Sequence, residues 1–167
     1  MLPEQMGRND GMKGIVQRAG ILLLLPVFLL SACGKGQEKD AYTLEDADAL
    51  LDAGVFSGEM EEVDGAVAAT IYGIDPDTVS EAVCYMAINA SVSADELSIF
   101  ILTDESAAEA AESACQLRID NQIESYTTYC PDQVPKLESA VISRLGPTVL
   151  VAVGEPDAVG SSVAALS

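Results

Sequence analysis

The sequence LSIFIL at residues 97–102, followed directly by TDES at residues 103–106, decides the fold class of this chain. The first six residues are nearly all apolar and include β-branched and aromatic side chains, which is typical of a strand. Thr103 can cap a helix, and the two acidic residues that follow complement the positive end of a helix dipole. The stretch therefore predicts a strand that passes directly into a helix.

The helix that starts after Thr103 is predicted to be the longest in the chain and to end at Pro131. Its apolar side chains recur at spacings of three or four residues, so they form one stripe along the helix. Such a stripe is expected to lie on a sheet. The stripe consists of Ala111, Cys115, Ile119, Ile123, Tyr126 and Cys130.

Three further segments have strand character and, with residues 97–102, predict two antiparallel hairpins. Residues 82–89 alternate between two sets of side chains and are expected to pair with residues 97–102 across a polar turn. Residues 140–144 and 148–153 flank a Leu-Gly-Pro sequence and form the second hairpin. We therefore predict an α+β fold, in which a four-stranded antiparallel sheet has its helices packed on one face.

Shorter helices are predicted on either side of these strands, and the first two form an N-terminal helical segment. Residues 44–53 follow Thr43 as a cap and stop at Gly54. Residues 64–72 form the second helix, which stops at Gly73. The other predicted segments are an acidic connection over 56–62, a single turn over 76–80, a polar turn over 131–136 and a weak C-terminal helix over 156–165.

The first 32 residues have the composition of a secretory signal. Lys13 and Arg18 provide a basic start, residues 21–30 form an apolar run, and two small residues follow. A helix that spans a bilayer needs about 20 apolar residues, and this run is about half as long. The segment is therefore predicted to be a signal peptide rather than a membrane-spanning helix. The candidate start residues are Met1, Met6 and Met12.

The sequence Leu30-Ser31-Ala32-Cys33 resembles a bacterial lipobox. The resemblance implies that the Cys33 thiol receives a diacylglyceryl group and that a lipoprotein signal peptidase cleaves after Ala32. Two acyl chains would give stable anchoring where one would be marginal. Residues 1–32 are then a signal peptide that is removed, and residues 33–43 are the lipidated cysteine and a flexible tether. Residues 44–167 are predicted to form a single α+β domain.

The chain is strongly acidic. From Cys33 onward it has 25 acidic and five basic residues, which gives a net charge near −20. Such a charge argues against nucleic acid and against anionic lipid head groups as partners. It suits a soluble domain that is repelled from an anionic envelope surface, or a domain that meets a basic partner.

The sequence contains no histidine, which removes several kinds of catalytic and metal site. Ser-His-Asp catalysis, Cys-His catalysis and His-ligated metal sites all need that residue. A Ser-Lys pair stays open on composition, but Lys136 is the only lysine in the predicted domain, and no serine near it lies in a nucleophile motif. Asp75, Asp77 and Glu81 do not have the spacing of a calcium loop. We therefore expect no enzyme activity, no metal and no cofactor.

Three cysteines lie in the predicted domain, so at least one thiol is unpaired within the chain. Cys115 and Cys130 are 15 residues apart on one predicted helix, which is about 22 Å at 1.5 Å per residue. A disulfide needs Cα atoms within about 7 Å. Any internal disulfide must therefore use Cys84, and whether it pairs with Cys115 or with Cys130 stays open.

The order of these segments is similar to that of a known family. A lipobox and a tether precede a Tyr-Gly-Ile-Asp sequence at 72–75 and a hairpin that ends at residues 99–102. A helix rich in Ala and Glu follows, carrying Arg118 and Gln122, and then a Val-rich hairpin. Over about residues 44–165 the chain resembles the DUF4358 family, small lipoproteins of clostridia-like Gram-positive bacteria. The resemblance implies a Gram-positive source and therefore the outer leaflet of the cytoplasmic membrane. The family has no established activity that could be carried over to this chain.

Three residues are candidates for ligand binding. Tyr72 could form an amphipathic wall of a pocket and Asp75 its polar handle, although a helix stop and a new cap explain the same residues without a ligand. Arg118 could bind an anionic group, although local pairing with a carboxylate is the simpler expectation in so acidic a chain.

The most specific functional prediction is a membrane-anchored extracytoplasmic lipoprotein. We expect its domain to bind a protein or a wall component at the cell envelope without catalysis. A first alternative is a small-ligand-binding lipoprotein, which a pocket of about 300 Å³ or more would favour. A second is a carboxylate-based cell-wall enzyme, which would need two carboxylates in one groove.

Overall fold

The structure of the protein, a computed structural model, describes residues 39–166. Five strands form one sheet, and each neighbouring pair in it is antiparallel. The strands are β1 (Met60–Glu62), β2 (Val79–Ala87), β3 (Glu96–Leu102), β4 (Val141–Leu145) and β5 (Thr148–Val153). Their order across the sheet is β1-β2-β3-β5-β4, so β3 is the central strand and β5 lies beside it.

Helices precede, separate and follow these strands. Short 3-10 turns at Pro76–Thr78 and Pro131–Gln133 introduce β2 and the fourth helix. The helices are α1 (Glu45–Asp52), α2 (Gly65–Tyr72), α3 (Glu105–Tyr129), α4 (Val134–Glu138) and α5 (Val159–Ala164). The long helix predicted after Thr103 is confirmed as α3, and the strand predicted over residues 148–153 is confirmed as β5.

The two inner strands β3 and β5 contribute side chains to two separate cores. Phe100 of β3 pairs with Val149 of β5, and both belong to the core beneath α3. The next pair, Ile99 and Leu150, belongs to a core on the opposite face of the sheet. A strand between two cores is apolar in both directions, which explains the nearly unbroken apolar run LSIFIL.

Helices cover both faces of the sheet, so the prediction that they lie on one face is wrong. Residues of α2, α3 and α4 pack into the first core, and residues of α1 and α5 pack into the second. Because β3 and β5 direct apolar side chains to both sides, each face needs its own cover against water.

The prediction of four strands is also wrong, because β1 adds a fifth at the edge of the sheet. Glu61 of β1 pairs with Met86 of β2, within a segment that the sequence predicts as part of an acidic connection. A three-residue strand with two exposed glutamates shows no apolar alternation. Short and charged edge strands are a common way to prevent pairing with another chain.

Several boundaries differ from the predicted ones for local reasons. Asp104 rather than Thr103 caps α3, since its carboxylate accepts a hydrogen bond from the Ala107 amide. The predicted polar turn over 131–136 overlaps α4, which buries Leu137 in the core beneath α3. The predicted strand at 82–89 begins earlier, at Val79, and the C-terminal helix α5 is shorter than predicted.

The segment that precedes α1 is packed on the sheet, contrary to the prediction of a flexible tether as far as residue 43. The Tyr42 amide donates to Thr148 Oγ1 over 2.8 Å, and the Tyr42 hydroxyl donates to Ser143 Oγ over 2.7 Å. The Tyr42 ring is buried in the core that also contains α1 and α5. Any tether that follows Cys33 is therefore shorter than predicted.

The N-terminal predictions fall outside the part of the chain that the structure describes. These are the signal peptide over residues 1–32, the lipidation of Cys33 and the remainder of the tether. Within residues 39–166, no helix combines the length and the apolar character that crossing a membrane would require.

Candidate functional site

A buried ion pair joins β3 to α3 on the face covered by α2, α3 and α4. Arg118 Nε donates to Glu96 Oε1 over 2.9 Å, and Arg118 Nη2 donates to Glu96 Oε2 over 2.8 Å. The Glu96 side chain is 3% exposed and the Arg118 side chain is 19% exposed. Burial alone would lower the pKa of Arg118, but hydrogen bonding and charge from Glu96 raise it overall, so the guanidinium stays charged. Two parallel hydrogen bonds fix its plane.

Gln122, one helical turn after Arg118, completes the coordination of Glu96 and leaves one of its own atoms unused. Its Nε2 donates to Glu96 Oε2 over 3.2 Å, while its Oε1 is buried and has no hydrogen-bond partner. A carboxylate only accepts hydrogen bonds, so Glu96 determines which end of the amide faces it. Gln122 therefore presents a desolvated acceptor without a donor, which is costly unless a ligand or water supplies one.

Tyr72, the last residue of α2, lies beneath the guanidinium. The Arg118 Cζ atom is 4.8 Å from the centre of the Tyr72 ring, which is a cation–π distance. The Tyr72 hydroxyl is 2.9 Å from Ser98 Oγ, and the Ser98 hydroxyl donates in turn to Cys84 Sγ over 3.0 Å. Burial and the nearby charge of Glu96 raise the pKa of Tyr72, so the phenol is neutral. These contacts hold Arg118 between an aromatic face and a carboxylate.

A groove of about 400 Å³ opens above this cluster, between the end of α2 and one face of α3. Residues 70–73 form one wall, and α3 residues between Ala114 and Tyr126 form the other. Arg118 and Gln122 lie in the groove and also line a smaller cavity of about 110 Å³ next to Glu96. We call the larger space the α2–α3 groove.

Tyr126 closes the far end of the α2–α3 groove. Its hydroxyl donates to the Ala90 carbonyl over 2.9 Å, which connects α3 to the loop between β2 and β3. Beyond it, another concavity of about 400 Å³ is lined by the same loop and by the C-terminal end of α3, including the exposed Tyr129. Concave surface therefore follows α3 over more than two helical turns.

The three predicted ligand-binding residues have different outcomes. Tyr72 and Arg118 lie together in the α2–α3 groove, and Arg118 forms the carboxylate pair that the acidity of the chain favoured. Asp75 is exposed and does not line the groove, and its carboxylate accepts from the Asp77 amide and caps a 3-10 turn. The local explanation therefore accounts for Asp75.

Sequence reasoning missed the role of Glu96 and mentioned Gln122 only within a family resemblance. Two signals were available in the sequence. Glu96 is an acidic residue at the start of a largely apolar strand, and Ser98 is the single polar residue within LSIFIL. Polar residues on a buried strand need partners, and here the partners are Arg118 and Tyr72.

The cysteines form no disulfide within the described residues. Cys84 therefore pairs with neither Cys115 nor Cys130 there. Cys84, Cys115 and Cys130 are free; the first two are buried and the third is half-buried. Burial raises the pKa of Cys84 to about 11 and that of Cys115 to about 12. Both thiols keep their protons at neutral pH, which makes them poor nucleophiles.

These thiols predict that the protein loses stability above about pH 9. In the unfolded chain they ionise near their ordinary pKa of 9.0, whereas in the fold they keep their protons to about pH 11 and 12. The unfolded state therefore releases protons first. Stability that is complete below pH 9 should fall by roughly 1 kcal/mol per pH unit for each thiol as the pH rises through this window.

Urea unfolding followed by circular dichroism between about pH 8 and pH 10 measures this slope. Cys84→Ala and Cys115→Ala should each reduce this slope relative to the wild type. The comparison stops near pH 10 because Lys136 and Tyr72, whose pKa values are also raised, would contribute above it. An equal slope in all three proteins would contradict the assignment.

A second buried ion pair is centred on Lys136, which does not line the groove. Lys136 Nζ is 2.6 Å from Asp95 Oδ1, 2.7 Å from Ser57 Oγ and 3.0 Å from Glu155 Oε1. The pair places Ser57 beside Lys136. Burial lowers the pKa of Lys136, but the hydrogen bonds that the ammonium donates to Asp95 and Glu155 outweigh burial and raise this pKa overall. A lysine held in its charged form cannot act as a general base on Ser57.

No group of three or more metal-ligating side chains comes together among residues 39–166. The charged partners described above are instead satisfied by one another. Glu96 is matched by Arg118, and Asp95 is matched by Lys136. Buried carboxylates whose charges are already compensated in this way have little to gain from a cation.

The fold and the groove define a small α+β domain built on a five-stranded antiparallel sheet with helices on both faces. The chain belongs to the DUF4358 family, described as a domain of unknown function, whose family model matches residues 52–154. This range begins at the end of α1, ends just after β5 and includes the whole α2–α3 groove. No curated protein and no solved structure matches the chain.

Proposed function

We propose that this protein is a lipoprotein of a Gram-positive bacterium, anchored through Cys33 to the outer face of the cytoplasmic membrane, and that it binds a partner in the α2–α3 groove without catalysis. One observation carries the binding role. Gln122 presents a buried acceptor without a partner beside a guanidinium whose position is fixed from two sides. Groups held in this way are preorganised, so a ligand does not have to order them.

The N-terminal sequence supports the location. A basic start, a short apolar run and Leu30-Ser31-Ala32-Cys33 follow one another in the order of a lipoprotein signal. The net charge near −20 from Cys33 onward opposes direct adhesion of the domain to an anionic bilayer. Two acyl chains would provide a membrane attachment that does not depend on the domain surface.

The chemistry around the groove supports binding rather than catalysis. Cys84 and Cys115 are protonated thiols, and both oxygens of Glu96 accept hydrogen bonds from Arg118 or Gln122. The residues that line the groove include no carboxylate. A carboxylate-based cell-wall enzyme would need an acid and a base there.

A small-ligand-binding lipoprotein is a second candidate, and the volume of the groove favours it. Pockets for small molecules start at about 300 Å³, and the groove reaches about 400 Å³. The exposed Leu117 on its rim, however, offers more apolar surface than a small enclosed ligand would cover. We therefore place a macromolecular partner first.

Photo-crosslinking in intact cells tests the proposal, followed by solubilisation of the membranes in detergent and purification of the protein. A crosslinked partner should appear with the wild type and be lost in Leu117→Glu. The matched control is Val92→Glu, since Val92 is as exposed as Leu117 but does not line the groove. Crosslinking that is unaffected by Leu117→Glu, or equally reduced by both changes, would remove the groove from the proposal.

A further inference from the structure

Arg118 and Gln122, which lie one helical turn apart on α3 and both line the groove, leave a donor and an acceptor without partners. Arg118 uses Nε and one Nη2 hydrogen for Glu96, and no residue among 39–166 accepts from its Nη1 group. Gln122 Oε1, one turn further along α3, has no donor. A ligand that satisfies both must present an acceptor to Arg118 and a donor to Gln122 at neighbouring positions.

An extended peptide backbone carries that pair at every second residue along one edge, since the N–H donor and the C=O acceptor of one residue point to the same side. A carboxylate ligand would supply the acceptor but not the donor. It would also gain little from Arg118, whose charge is already matched by Glu96. The polar groups of the groove therefore favour an uncharged amide over an anion.

The rim of the groove is apolar at several exposed positions. Ile71 of α2 is one of them, and Val67 lies one turn before it on the same helix. On the opposite wall Leu117 is 61% exposed. In an extended segment, successive side chains point to opposite sides, so a peptide in the groove can place apolar side chains against both walls. These residues would then be withdrawn from water.

The acidic residues around the groove determine which residues a bound peptide should carry on either side of its apolar centre. The groove lining has no acidic residue, although the chain as a whole is strongly acidic. Asp120 and Glu124 are exposed on α3 beside the lining residues, and Asp75 is exposed just beyond the end of α2. A segment that leaves the groove at either side enters a negative field. A second copy of this acidic chain would meet that field with the same sign of charge.

We propose that the α2–α3 groove binds an extended peptide segment of a partner protein, with an apolar centre and Lys or Arg residues on both sides. The proposal rests on the proposed function, because it assigns a ligand class to the same groove. The C=O group of a central residue accepts from Arg118, and the N–H group of the same residue donates to Gln122 Oε1, which becomes accessible when the Gln122 side chain turns toward the peptide. The apolar side chains contact Ile71 and Leu117, and the flanking cations interact with Asp75, Asp120 and Glu124.

Selection from a random-peptide library displayed on phage tests the proposal, with the full acylated protein in lipid nanodiscs as the target. Enriched peptides should share an apolar centre and basic flanks. A synthetic copy of one of them should lose about tenfold in affinity when its central amide is N-methylated, because one hydrogen bond is removed. Its affinity should also fall as the salt concentration rises, since the flanks act electrostatically.

Variants of the protein test whether the selected peptide binds in the α2–α3 groove. Leu117→Asp and Gln122→Leu should each abolish or strongly weaken binding of the selected peptide, whereas Val92→Asp should not, and thermal unfolding checks that all three remain folded. Enrichment of acidic or uncharged peptides, or no enrichment, would overturn the ligand class. If crosslinking in cells still depends on Leu117 in that case, the groove binds another ligand and the proposed function stands without this inference.

Discussion

Cys33→Ser is expected to leave the protein without acyl groups and with its signal segment uncleaved. The diacylglyceryl group is transferred to a thiol, and a serine hydroxyl is a much poorer nucleophile with no accessible anionic form at neutral pH. Without the lipid, the precursor retains only the apolar run at residues 21–30, which is about half the length of a membrane-spanning helix. We expect wild-type protein in the detergent phase as a processed band, and a larger band without acyl mass for the variant.

Intact mass spectrometry of membrane fractions measures this outcome directly. The matched control is Cys130→Ser, which makes the same replacement at a half-buried thiol of the domain and should leave processing and acylation unchanged. Each CH₂ of an acyl chain that enters the bilayer adds about 0.8 kcal/mol, so loss of two chains should be plain in the partitioning as well. A wild-type chain that begins at Met12, or at any residue other than an acylated Cys33, would refute the lipoprotein assignment.

Asp95→Ala is expected to destabilise the described domain strongly. The Asp95 side chain is fully buried, and its Oδ1 binds Lys136 Nζ while its Oδ2 accepts from the Ser57 amide over 3.0 Å. Removal of the carboxylate leaves a lysine that is only 8% exposed without its main counter-charge. Such a change typically costs about 3–5 kcal/mol, which is a large part of the stability of a small domain.

The double variant Asp95→Ala/Lys136→Met separates two possible causes of the lost stability: the buried, unpaired charge of Lys136 and the packing that the Asp95 side chain provides. Because it removes both charges, it should be clearly more stable than Asp95→Ala alone, although both proteins lack the same carboxylate. Urea unfolding followed by circular dichroism at neutral pH gives the free energies. A loss below about 1 kcal/mol in the single variant, within the range of ordinary surface substitutions, would show that the pair does not hold these segments together.

The sequence predicted the inner part of the fold better than its edges. Residues 97–102 and 148–153 are apolar nearly throughout, so their strands were identified to within a residue. The same apolar character also indicated burial on both faces, but the prediction treated the sheet as covered on one. The edge strand Met60–Glu62 has no such signal, because two of its three residues are exposed glutamates. Only its pairing with β2 makes it a strand.

The candidate site was only partly accessible from sequence because its contacts join distant segments. Tyr72 and Arg118 were named, but the partner of Arg118 lies 22 positions earlier, and many acidic residues were equally available. Only the packing of α3 across β3 selects Glu96. The unpartnered oxygen of Gln122 is a property of three side chains together, so no pattern of spacing could have revealed it.

The docking of Tyr42 has a consequence for how the domain can be attached to a support or a label. Tyr42 packs on the α1 and α5 side of the sheet, and the α2–α3 groove opens on the other side. A support joined to the chain just before Lys39 is therefore attached near the face of the sheet that does not carry the groove. Immobilisation through this end of the domain should leave the groove free for binding experiments.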